Sequence, residues 1–156
     1  MTVLKQEGWK ELMSNIFEKI REQVVSVTNK AFLSCEKKGS IPGITLPEMS
    51  IETPRERGFG DFSTNIAMQV AKQAKLPPRK LAELLVSEMD FSGTYIERVG
   101  IAGPGFINFY LNKDWLYDAL KIIQKMRERY GEVDLGKGKK VNVEFVSANP
   151  TGPLHM

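Results

Sequence analysis

The chain has 156 residues, 42% hydrophobic and 26% charged, with a formal net charge of +3. That size suits one domain with a modest core and a tail, in the composition range of soluble globular proteins. One cysteine, Cys35, excludes an internal disulfide framework and points to a reducing cytoplasm. No apolar run approaches membrane-spanning length, and the N-terminus carries both signs of charge, unlike a secretory signal.

Apolar residues at Trp9, Leu12, Ile16, Ile20, Val24, Val27 and Phe32 recur in steps of three to five. This spacing predicts a long amphipathic helix over residues 9–38 with one buried face. Gly39 and Ser40 end it, and a loop punctuated by Pro42, Gly43 and Pro47 follows. Residues 49–53 alternate and read as a strand closed by Pro54. Gly58, Phe59 and Gly60 then form a loop, with Asp61 and Ser63 supplying cap chemistry for the next helix. Approach of this loop to an RNA backbone, with Arg55 and Arg57 beside it, is the alternative to plain capping.

Residues 64–75 predict a short helix with a small-residue face, broken by Leu76, Pro77 and Pro78. Pro78 is placed to open a second helix reaching about residue 89, which buries Leu81, Leu84 and Leu85. The pair suggests a helical hairpin over a sheet. Residues 94–102 read as a strand, and Gly103, Pro104 and Gly105 as its bend. Residues 106–111 form a further strand, with Ile107, Phe109 and Leu111 on the core side. Phe106, Asn108 and Tyr110 take the other side, where antiparallel strands normally carry solvated polar groups. Asn112 caps a helix over residues 113–130 striped by Trp115, Leu116, Ala119, Leu120, Ile123 and Met126, and Gly131 ends it. Residues 132–140 read as a linker, and residues 141–146 as a short strand running into a Gly/Pro-rich turn.

The residues offer little catalysis of their own. One Cys and one His make no metal-ligand cluster and no nucleophile–base pair. The side of Phe106, Asn108 and Tyr110 has a different use: unpaired RNA bases are stacked on aromatic rings and hydrogen-bonded by amides. Packing of the same aromatics under a neighbouring loop is the alternative.

The run from Glu144 to His155, EFVSANPTGPLH, closely resembles the opening of the catalytic domain of arginyl-tRNA synthetases. There a strand and a Ser-x-Asn-Pro turn lead into the HIGH-type ATP motif of class I synthetases, of which His155 would be the first histidine. GDFSTNIA, beginning at Gly60, and GPGFINF, beginning at Gly103, resemble two landmarks of the same family's N-terminal additional domain. The resemblance implies a parent enzyme that uses ATP, with Mg, to activate L-arginine and join it to tRNA(Arg) in the cytoplasm.

Within that resemblance, Glu144 and Asn149 match positions that bind arginine, by carboxylate–guanidinium pairing and amide hydrogen bonding. Ser147 is a further candidate at the same turn. His155 matches a group that stabilises phosphate charge. Phe106 and Asn108 match an aromatic and an amide, two residues apart, that contact the D-loop at the outer corner of tRNA. Gly103 falls at a neighbouring contact position but has no side chain with which to read a base.

The fold expected is α+β: a two-layer domain with an antiparallel sheet covered by helices on one face, plus a C-terminal tail from a Rossmann-like catalytic domain. Residues 1–131 form the tRNA-corner domain, 132–140 the linker, and 141–156 the severed first strand and ATP-motif loop. This portion is expected to be inactive alone, with no cofactor or metal of its own and no membrane partner. A free-standing RNA-binding module and a structural or protein-interaction domain are the competing readings.

Overall fold

The computed structural model describes residues 16–132, 138–145 and 152. Helix α1, Ile16–Lys37, buries Ile16, Ile20, Val24, Val27, Ala31, Phe32 and Cys35 along one face, as its three-to-five spacing requires. Thr28 lies in the same buried stripe and is satisfied locally, its hydroxyl donating to the Val24 carbonyl at 2.8 Å. Gly39 takes a positive φ of 69°, and the Ser40 N–H reaches back to the Cys35 carbonyl at 2.9 Å, closing the helix end. The predicted residues 9–15 of this helix lie outside the described residues.

Three strands, β1 (Phe62–Thr64), β2 (Ile96–Ala102) and β3 (Phe106–Leu111), form an antiparallel sheet in the order β1-β3-β2. The central strand pairs Asn108 with Ser63 on one side and Gly100 on the other. Ile107 and Phe109 are fully buried beneath α1, α2 (Ile66–Ala74) and α3 (Pro78–Ser87). Ala67, Ala71 and Ala74 are the small, buried face of α2. Leu81, Ala82 and Leu85 complete the core from α3. Full burial of each large side chain contributes about 1.5–3 kcal/mol, so this face holds the domain together. The α+β architecture, helices on one face of an antiparallel sheet, is as the pattern predicts.

Of the predicted strand 49–53, only Glu52 pairs, exchanging hydrogen bonds of 2.9 and 2.8 Å with Ser63. Its partner β1 is three residues long, and Pro54 has no N–H to extend a ladder. Ser63 is a sheet residue and Asp61 stands just before that strand, so neither is a helix cap. Ser63 pairs within the sheet, while the Asp61 carboxylate accepts from the Leu111 N–H at 2.8 Å. The helix that they were expected to cap therefore begins at Ile66.

Helix α4, Asp114–Met126, ends where Arg127 takes a positive φ of 51° and a 3-10 turn begins, short of the predicted residue 130. Trp115, Ala119 and Ile122 lean on the core, whereas Leu116, Leu120 and Ile123 of the predicted apolar stripe are exposed. The helix is tied to the core by the Phe17–Trp115 ring pair at 5.4 Å and by the Tyr95 hydroxyl donating to Asp118 at 2.9 Å. Residues 141–144 form no strand, and Val141, Val143 and Phe145 are exposed. They pair with no strand among the described residues, so the described tail displays no Rossmann-type layer.

Candidate nucleic-acid interface

Opposite the helices, the sheet presents Phe106, Asn108 and Tyr110 from β3, flanked by Ser63 of β1 and by Arg98, Gly100 and Ala102 of β2. The alternation that sinks Ile107 and Phe109 into the core places these side chains on the other side. Phe106 is 38% exposed, at the end of the strand beside the turn. Asn108 is only 4% exposed, which corrects the expectation of a freely solvated amide. It sits mid-strand in the central strand, between two aromatics and between two paired neighbours, so its surroundings shelter it. Among the described residues its carboxamide makes no side-chain hydrogen bond, and no buried side-chain N or O is left without a partner.

The turn before Phe106 is fixed by backbone geometry. Gly103 and Gly105 have φ of 52° and 143°, and a Cβ at Gly105 would come within 2.9 Å of the Pro78 backbone. Glycine is required there because α3 begins against the turn. Arg79 of α3 donates to the Gly103 carbonyl at 2.9 Å and lies 3.4 Å from Glu83. Gly103 thus contributes its carbonyl to holding the turn, and a side chain at that position would lie beside the Phe106 ring.

Further along the strand, the Arg98 guanidinium lies 3.3 Å from the centre of the Tyr110 ring. The Tyr110 hydroxyl donates to the Gly58 carbonyl at 2.9 Å. Arg98 belongs to no motif in the sequence. The three-residue turn at 103–105 pairs Ala102 with Phe106 and hence Arg98 with Tyr110, and that count is the signal available in the sequence.

Glu88, Asp90 and Asp118 are held below the usual carboxylate range by hydrogen bonds, from Lys38 and Ser34, from Ser92, and from Lys121 and Tyr95 respectively. Each is a local structural tie rather than a poised proton donor. Burial pushes the Cys35 thiol up, with the Glu88 charge adding to it, so the thiol is inert. Among the described residues no group of His, Cys, Asp or Glu could hold a metal ion, and no helix is long and apolar enough to cross a membrane. Glu144 is exposed and unpaired with any strand, while Ser147, Asn149 and His155 lie outside the described residues.

Residues 15–111 match the family described as the arginyl tRNA synthetase N terminal domain. The protein named arginine--tRNA ligase from Acetivibrio thermocellus is 55% identical over 144 residues, 92% of this chain and 26% of that protein. The protein of the same name from Caldanaerobacter subterraneus subsp. tengcongensis is 51% identical over the same shares. The chain thus spans about a quarter of the length of these curated relatives. Among solved structures, the arginyl-tRNA synthetase from Plasmodium falciparum aligns with a TM-score of 0.51 at 20% identity, over 65% of this chain and 18% of that one. At that identity the likeness concerns the fold.

Proposed function

Because the chain belongs to the arginyl-tRNA synthetase N-terminal domain family, we propose that it is the part of an arginine–tRNA ligase that grips the outer corner of tRNA(Arg). A base extruded from the D-loop stacks on Phe106, and its edge meets the amide of Asn108. The observation that carries this reading is the pairing of a 38% exposed ring at Phe106 with a sheltered amide, Asn108, two residues along the same side of β3. A ring contributes about 1–3 kcal/mol per stacked base. A sheltered amide adds selectivity, because a base that cannot pair with it leaves a desolvated polar group unsatisfied. Support for the D-loop as the target comes from the family resemblance of Phe106 and Asn108.

In the parent enzyme, Glu144 pairs with the guanidinium of substrate arginine while Asn149 and Ser147 hydrogen-bond the same substrate. His155 stabilises phosphate charge as ATP activates the amino acid. Residues 1–131 then act as the tRNA-corner domain, 132–140 as the linker, and 141–156 as the start of the catalytic domain. Mg accompanies ATP in that enzyme. Protein synthesis gives the enzyme a cytoplasmic workplace. Chemical footprinting of tRNA(Arg) at nucleotide resolution tests the reading. Protection of D-loop nucleotides on adding the chain is expected, and a footprint confined to the anticodon or acceptor end would exclude it.

A further inference from the structure

The Arg98–Tyr110 stack lies across the β2–β3 hairpin on the same side of the sheet as Asn108. Tyr110 is held from several directions: its hydroxyl bonds to the Gly58 carbonyl, and Gly60 and Gly100 lie so close that a Cβ on either would stand 3.5 Å from the ring. The Arg98 guanidinium covers the ring at 3.3 Å from its centre, yet Arg98 itself is exposed. Among the described residues no carboxylate forms an ion pair with it. One flat side of the cation is therefore backed by a fixed ring, and the other side, with the N–H edges, is open to solvent. RNA-binding proteins stack unpaired bases on guanidinium planes as well as on aromatic rings. Phe106 and Tyr110 stand four residues apart on one strand, roughly 13 Å at about 3.3 Å per residue. Asn108 lies midway between them. One base cannot touch both ends, whereas two neighbouring nucleotides splayed along the strand can.

We infer that the Arg98 guanidinium, laid on Tyr110, is a second base-stacking position, so that this face takes two adjacent unpaired nucleotides of an RNA loop rather than one. The inference rests on the RNA-binding reading above and adds a nucleotide to it. Its polarity suits the ligand, since the exposed cation on this face lacks an acidic partner and RNA is anionic.

The test is titration of the 156-residue chain with a tRNA(Arg) transcript, comparing the unaltered chain with Phe106→Ala, Arg98→Ala and Arg98→Lys, with melting temperature recorded for each. Arg98→Ala is expected to weaken binding about tenfold. Arg98→Lys should weaken it nearly as much, because an ammonium keeps the charge but offers no plane. Unaltered affinity in Arg98→Lys would overturn the inference in favour of a phosphate contact, and this arm decides even if Arg98→Ala loosens the hairpin. Unaltered affinity in Arg98→Ala, with binding lost in Phe106→Ala, would sink the second position and leave the first standing. If Phe106→Ala binds normally, or the unaltered chain does not bind, the RNA-binding reading itself fails and takes this inference with it.

Discussion

Gly105 lies so close to Pro78 that a Cβ would stand 2.9 Å from both the carbonyl carbon and oxygen of that residue. The contact seats the β2–β3 turn on the first turn of α3, and Phe106 follows immediately. Gly105→Ala forces an L-residue into a φ of 143° and drives its methyl into backbone. A loss of about 1–3 kcal/mol is expected by urea unfolding, together with weaker tRNA binding. Full stability in the variant would show that the turn can shift without cost.

The two sides of β3 should respond to truncation in opposite ways. Phe109 is fully buried and Phe106 is 38% exposed. Phe109→Ala is expected to cost about 3–5 kcal/mol through lost burial and the cavity left behind. Phe106→Ala should cost under about 1 kcal/mol, as exposed substitutions usually do. Similar losses from both, measured by denaturant unfolding, would mean that the outer ring is packed more deeply than the sheet geometry allows.

Glu88 joins the end of α3 to α1, accepting from Ser34 at 2.6 Å and from Lys38 at 2.6 and 2.7 Å. These bonds hold its carboxyl below the usual range, Lys38 most strongly. A depressed folded value means that the contribution is complete above the unfolded value, about pH 4.3. It is lost as pH falls through the lower folded value. Melting curves of the chain and of Glu88→Gln should therefore differ at about pH 6 and converge toward about pH 3. A gap that stays constant with pH would remove Glu88 as the cause.

Asn108→Ala separates recognition from folding. The carboxamide has no side-chain partner among the described residues to lose, so the melting temperature should move by no more than about 4 °C. Affinity for tRNA should fall about tenfold, the scale of one hydrogen-bonded base edge. Loss of folding in place of loss of binding would make the amide a structural residue.

The sequence displayed some of these features plainly and concealed others for physical reasons. Strand 106–111 was legible because a period of two is unmistakable when Ile107 and Phe109 alternate with Phe106 and Asn108. Helix α1 was legible from its single stripe. Strand β1 was not, since Phe62, Ser63 and Thr64 are too few to show a period, and Asp61 and Ser63 are as much at home in caps as in ladders. The depth of Asn108 depends on cross-strand neighbours that alternation does not specify. Likewise, Leu116, Leu120 and Ile123 have helical spacing, but spacing alone does not say whether anything covers them. Arg98 became a candidate only once the hairpin register set it on Tyr110.

Steady-state aminoacylation by the proposed parent ligase carrying Phe106→Ala with Asn108→Ala addresses the central claim most directly. KM for tRNA(Arg) should rise at least about tenfold, while KM for ATP and for arginine stay at their unaltered values, because the contacts proposed for both lie at residues 144–155. An unchanged KM for tRNA(Arg) in that double variant would contradict the assignment of this sheet face to tRNA.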